Sequence, residues 1–220
     1  MNKKITALIA TGMICAAAFS SCNAPEAEPA TQSSDTEAAT IQYKIAETEE
    51  KISRAEEATP AITMEKFLSL LENPDLHAVS YVGTDDLIFN SESHTDKTII
   101  TDTYGKTEIN SSVNEVIVLN SPDGVTLNAK TDSFIVKGEA VTAELNAETG
   151  SVYVVGKDAK ININKTATVT DILVRNTTAV IYNHSKNDIT VILTNGTKIT
   201  VPGNHTYKAQ DNTLTKGIAD

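Results

Sequence analysis

The chain reads as an all-β protein: a single-domain parallel β-solenoid of about 18 residues per coil, two strands per coil, preceded by short N-terminal helices. Three observations predict it. A triplet of the form apolar, any, apolar, followed by a corner, returns at roughly nine-residue intervals between residues 87 and 194. After every second triplet the next residue is asparagine, and the two triplet series differ in the polarity of their middle position.

The first series runs Leu87-Ile88-Phe89-Asn90, Thr107-Glu108-Ile109-Asn110, Val125-Thr126-Leu127-Asn128, Ala143-Glu144-Leu145-Asn146, Ile161-Asn162-Ile163-Asn164 and Val180-Ile181-Tyr182-Asn183. The second runs Thr98-Ile99-Ile100-Thr101, Val116-Ile117-Val118-Leu119, Phe134-Ile135-Val136-Lys137, Val152-Tyr153-Val154-Val155, Ile172-Leu173-Val174-Arg175 and Ile189-Thr190-Val191-Ile192. Alternation turns the first and third residues of a triplet to one side, which makes an interior of aliphatic pairs such as Val116/Val118 and Phe134/Val136. Asn110, Asn128, Asn146 and Asn164 are 18 apart, with Asn90 and Asn183 displaced to 20 and 19. Stacked coils place these six amides in one column, where each can bond its neighbour along the axis. Asn120, Gly138, Gly156 and Asn176 follow the second series, and both residue types tolerate a bend. The alternative is an antiparallel β meander or sandwich, for which Asn195-Gly196 between two apolar runs argues locally.

Before the repeat the chain begins Asn2-Lys3-Lys4, continues through an apolar stretch from Ile5 to Phe19, and closes with Ser20-Ser21-Cys22. That stretch is short for a membrane span, and its flanks are those of a secretory leader at residues 1–21, the alternative being ordinary secretion with cleavage after Ala18 in the run Ala16-Ala17-Ala18. Phe19-Ser20-Ser21-Cys22 resembles the lipobox of bacterial lipoproteins, with phenylalanine where leucine is usual. The resemblance implies acylation of Cys22 and an address in the bacterial cell envelope, lipid-anchored at the outer membrane and facing the periplasm or the surface. The membrane is then a partner through acyl chains alone. Cys15 leaves with the leader, so no thiol remains for a disulfide, a metal or a nucleophile. The whole chain carries a formal charge of −11, and losing Lys3 and Lys4 leaves 16 basic against 29 acidic residues, or −13. A field of that sign argues against nucleic acid.

Residues 22–40 are acidic and poor in apolar side chains, which predicts a disordered tether. Residues 41–76 should be helical. Ile41, Ile45, Thr48, Ile52 and Ala55 alternate four and three apart, and Glu47/Lys51 and Glu50/Arg54 are favourable pairs. A second helix from about Thr63 to Glu72, stopped by Asn73-Pro74, offers Met64, Phe67, Leu68 and Leu71 as a cap over the first coil. The solenoid then occupies 77–210 and a polar tail 211–220.

The middle positions suggest where function lies. In the asparagine series they are mostly polar, with Glu108, Thr126, Glu144 and Asn162, so that sheet should meet water. In the other they are Ile99, Ile117, Ile135, Tyr153 and Leu173, an apolar stripe of roughly 20 Å that is either an interaction face or the seat of one of the preceding helices. No catalytic motif, cofactor loop or metal-ligand spacing is written in the sequence, and His77, His94, His184 and His205 are scattered. A non-enzymatic protein without cofactors or metal is expected.

Short apolar-x-apolar strands with glycine or asparagine corners over residues 87 to 203, behind a lipobox, resemble the GIN-type adhesin heads of bacterial envelope proteins. Leu193 to Val201 also resembles a strand pair of FecR-type domains. The first resemblance implies a lipid-anchored module that binds an envelope protein or glycan, or acts as an adhesion scaffold. The other readings are a self-assembling structural envelope protein and a carbohydrate-active β-helix enzyme.

Overall fold

A computed structural model describes residues 33–58, 60–91, 95–175 and 178–217. The leader, Cys22, residues 22–32 of the expected tether, His94 and Asn176 lie outside them. The chain divides into Met1–Gln32 and a compact unit Ser33–Asp220.

Helix α1 spans Ser33–Glu57 and is followed by a two-residue strand β1, Pro60–Ala61, and helix α2, Met64–Leu71. The chain then alternates between two sheets. One receives β2 (Ala78–Gly83), β4 (Thr98–Thr103), β6 (Val113–Asn120), β8 (Thr131–Val136), β10 (Thr149–Val154), β12 (Val169–Val174), β14 (Ile189–Leu193) and β15 (Lys198–Val201). The other receives β3 (Leu87–Phe89), β5 (Thr107–Ile109), β7 (Val125–Leu127), β9 (Thr142–Leu145), β11 (Lys160–Ile163), β13 (Val180–Asn183), β16 (His205–Lys208) and β17 (Thr213–Lys216). With β1 added at its edge, the first sheet (sheet A) has nine strands and the second (sheet B) has eight.

Pairing is parallel from β1 to β14 in sheet A and from β3 to β13 in sheet B, which makes a climb of about seven turns. Val116 pairs with Phe134 and Phe134 with Val152, an advance of 18 residues per coil. The advance is longer at both ends: 20 from Leu87 to Thr107 and from Ala78 to Thr98, 20 from Val152 to Ile172 and from Ile161 to Ile181, and 19 from Ile172 to Val191. The interior between the sheets is closed by Val116, Val118, Phe134, Val136, Val152 and Val154 from sheet A and by Leu127, Leu145, Ile161 and Ile163 from sheet B, all fully buried. Burying such a side chain stabilises by about 1.5–3 kcal/mol, so the stack is held by repetition of small, equal contributions.

Both ends are covered. At the start, Thr63 caps α2 by accepting the Lys66 N–H at 3.2 Å, and Phe67 and Leu71 turn into the first coil, where Phe67 meets Tyr81 edge-on at 5.8 Å. At the far end the chain changes direction. β15 folds back antiparallel on β14 through Asn195-Gly196, β16 is antiparallel to β13, and β17 is antiparallel to β16. Gly196 has φ +87° at that turn, a backbone angle side chains resist. The hairpin signal in the sequence thus belongs to the C-terminal cap and not to a meander.

Three boundaries differ from expectation. α1 begins at Ser33, so residues 33–40 are helical where composition predicted tether; Glu37 there pairs with Lys198, giving the segment a contact that a local reading misses. The parallel sheet begins at β1, before residue 77. The expected tail at 211–220 contains β17, whose four residues are polar or exposed because it is an edge strand.

Candidate functional site

Two outer surfaces flank the solenoid, and the structure treats them differently. On sheet A, outward residues Ile100, Ile117, Ile135, Tyr153, Leu173 and Ile192 form one buried cluster with Ile41, Ile52 and Ala55 of α1. The apolar stripe is therefore the seat of α1. Ile117, Ile135, Tyr153 and Leu173 lie in it as expected, but Ile99 does not: it faces the interior with Val116, and Ile100 takes its place opposite Ile117. The sequence Ile99-Ile100 fits either register. The strands take the second, with an advance of 17 residues up to Thr101 and of 18 from Asp102.

The fit of helix to sheet is metric. One turn of α-helix rises about 5.4 Å and one strand occupies about 4.8 Å, so each turn presents one side chain to roughly one coil. Ion pairs border the seam on both sides. Lys44 reaches Asp171 at 2.9 Å and Lys51 reaches Glu115 at 3.0 Å, while Glu49 pairs with Arg175, Glu56 with Lys137 and Glu37 with Lys198. Burial pulls the Lys51 ammonium down, but the hydrogen bond and charge of the buried Glu115, helped by Glu47, outweigh it and hold the pKa above its usual value. Beneath α1, Tyr153 is 4% exposed and its hydroxyl has no hydrogen-bond partner. Its burial, with the Glu49 carboxylate adding and Arg175 opposing, pushes the phenol pKa up to about 12. A cleft of about 190 Å³ remains on the Lys44 side, lined by Lys44, Thr48, Lys51, Ser133, Ser151 and Asp171 among others.

Sheet B carries the amide column on its border. Asn110 donates to Asn90 at 2.8 Å, Asn128 to Asn110 at 2.6 Å, Asn146 to Asn128 at 2.7 Å and Asn164 to Asn146 at 2.5 Å. Asn183 is not part of it. The 20-residue coil pairs Ile163 with Asn183, so Asn183 points inward and His184 follows at the column position. Fully buried, Asn183 donates to the carbonyls of Asn187 and Val201 and accepts from Ser185. The sequence Val180-Ile181-Tyr182-Asn183 resembles the other triplets, and only the count of residues in the preceding loop shows which register is taken.

The open face of sheet B bears Ile88, Glu108, Thr126, Glu144, Asn162 and Tyr182 across successive strands. Its carboxylates are engaged. Glu108 accepts from Lys106 at 2.8 Å and Asn110 at 3.0 Å, contacts that outweigh its partial burial and hold its carboxyl below the usual range. Glu144 accepts from Asn162 at 2.6 Å and Asn164 at 3.1 Å. Between Ile88 and Tyr182 the result is a row of carboxylates, a hydroxyl and an amide at strand spacing, beside the asparagine column. Among the described residues no group of three His, Cys, Asp or Glu is placed to hold a metal ion, and no helix is long and apolar enough to cross a membrane. Compared with known proteins, the chain matches no family model, no curated protein and no solved structure.

Proposed function

We propose that this protein is a lipid-anchored component of the bacterial cell envelope whose β-solenoid serves as a rigid recognition or scaffold module, with the polar face of sheet B as its contact surface. The anchor reading rests on Phe19-Ser20-Ser21-Cys22 after a basic and apolar leader. The observation that carries the rest is the way apolar surface is closed: α2 over the first coil, antiparallel strands over the last and α1 along sheet A, while among the described residues no helix covers sheet B. A filament-forming element needs coil ends that continue one another, and strands reversed at β15 and β16 do not.

An array of amide and carboxylate groups suits a hydroxyl-rich polymer, so an envelope glycan is the favoured partner over a protein. Catalysis on that glycan is disfavoured. Glu108 and Glu144 stand two coils apart, roughly 10 Å by strand spacing, beyond the separation of paired glycosidase carboxylates. Glu108 is also held ionised, the wrong state for a proton donor.

The test has two readings. Fatty-acid labelling of cells should mark the wild type and not Cys22→Ala; labelling of neither sinks the anchor. Purified envelope polysaccharide should co-sediment with the protein and lose that association in Asn162→Lys/Thr126→Lys, whereas equal binding by the variant sinks the sheet B surface.

A further inference from the structure

We propose that α1 sets which end of the solenoid is tied to its anchor, attaching the chain at the antiparallel cap and leaving the α2 cap as the free end; this inference rests on the lipid-anchor reading of Cys22. The argument is the direction of α1 along sheet A. Near its start, Glu37 pairs with Lys198 of β15 and Gln42 donates to the Thr194 carbonyl, just past β14, at 3.3 Å. Further on, Lys44 reaches Asp171 of β12, and Lys51 reaches Glu115 of β6. The helix therefore begins at the last coils and runs back towards the first. The chain that carries Cys22 joins the solenoid at its C-terminal end, although it precedes the N-terminal coil in sequence.

Lengths make the consequence large. From Cys22 to Ser33 the chain reaches at most about 40 Å, close to the roughly 38 Å that nine strands of sheet A occupy. With α1 docked, the anchor's attachment to the solenoid lies at the C-terminal cap, and the α2 cap stands a solenoid length from that attachment. Releasing α1 moves the attachment to Pro60 at the opposite end and adds the whole helix to the span. The strap thus sets which end is attached and limits how far that end can stand from the anchor. Ile62, Leu68, Ile88 and Tyr104, exposed on the N-terminal elements, then sit at the free end.

The test uses the chain from Cys22 to Asp220, whose single thiol is coupled to a maleimide lipid in phosphatidylcholine vesicles with a headgroup quencher. A fluorophore carried by a non-natural residue replaces Asp75 near the α2 cap or Lys216 in the antiparallel cap. Stronger quenching at 216 than at 75, reversed in Ile52→Asp/Glu49→Lys/Glu56→Lys, is the expected result. Equal quenching, or stronger quenching at 75 in the unaltered chain, overturns the proposal. Intramolecular label distances from position 39 to 75 and to 216, measured without vesicles, give a second reading: 39 should lie nearer 216, and the opposite order overturns it as well. Because the lipid is attached chemically, a failure of Cys22 to be acylated in cells would sink the anchor reading without altering these results.

Discussion

Replacing Tyr153 with phenylalanine should stabilise the protein, and the gain should grow with pH. The ring is buried under α1 and its hydroxyl has no partner. Burying a hydroxyl unpaired costs about 1–3 kcal/mol, so its removal should recover about 1 kcal/mol and raise Tm by about 2–4 °C for a domain of this size. Linkage adds a second signature. The folded-state phenol is raised from 10.0 to about 12, chiefly by burial, so its contribution is complete below pH 10 and is lost as the pH climbs towards 12. Two pKa units amount to about 2.7 kcal/mol in all, of which roughly half is gone by pH 11. Phenylalanine has nothing to lose, so its advantage should widen from about 1 kcal/mol at pH 7 to about 2 kcal/mol at pH 11. Tyr81 and Tyr207, also raised by burial, are present in both proteins and cancel. Urea unfolding followed by circular dichroism at the two pH values measures the gap. A variant less stable at pH 7, or a gap that does not change, would mean that the hydroxyl sits in water and α1 does not cover it.

Other perturbations separate the roles of individual residues. Asn183→Ala should cost about 2–3 kcal/mol because it strands buried carbonyls and Ser185, whereas Asn128→Ala in the exposed column should cost about 1 kcal/mol; equal losses by denaturant titration would place both asparagines in one column. Gly156→Ala puts a Cβ onto the Gly138 carbonyl oxygen of the preceding coil, and should lose about 3 kcal/mol or fail to fold, while a neutral result would mean that the coils do not stack so closely. Lys51→Met leaves the Glu115 carboxylate buried beside an apolar chain and should cost about 1–2 kcal/mol, most of it regained in Lys51→Met/Glu115→Gln; no recovery in that double variant would show that the two groups do not pair.

The repeat was legible because a solenoid writes each coil with the same residues, so period, strand alternation and the amide column from Asn90 to Asn164 follow from spacing alone. Register failed at two points for one reason. Ile99-Ile100 and Val180-Ile181 each place two apolar residues side by side, and either can face inward until the length of the preceding loop is fixed by packing. The stripe was visible, and so was the apolar edge of α1, but periodicity states that a face needs cover without stating what covers it or in which direction. Residues 33–40 were hidden for a related cause: their composition resembles a tether, and what holds Glu37 is Lys198, more than a hundred and fifty residues away. The buried role of Asn183 could have been found by asking why it follows Asn164 by 19 residues when the column itself advances by 18 or 20.

Methyl-labelled isoleucines give the most direct test of α1 on sheet A. In a dilute sample, nuclear Overhauser contacts should join Ile41 and Ile52 to the stripe residues Ile117, Ile135 and Ile192, with Ile99 absent from that set and intensities independent of concentration. Contacts that vanish on dilution, or a stripe whose isoleucines see only one another and water, would contradict the account.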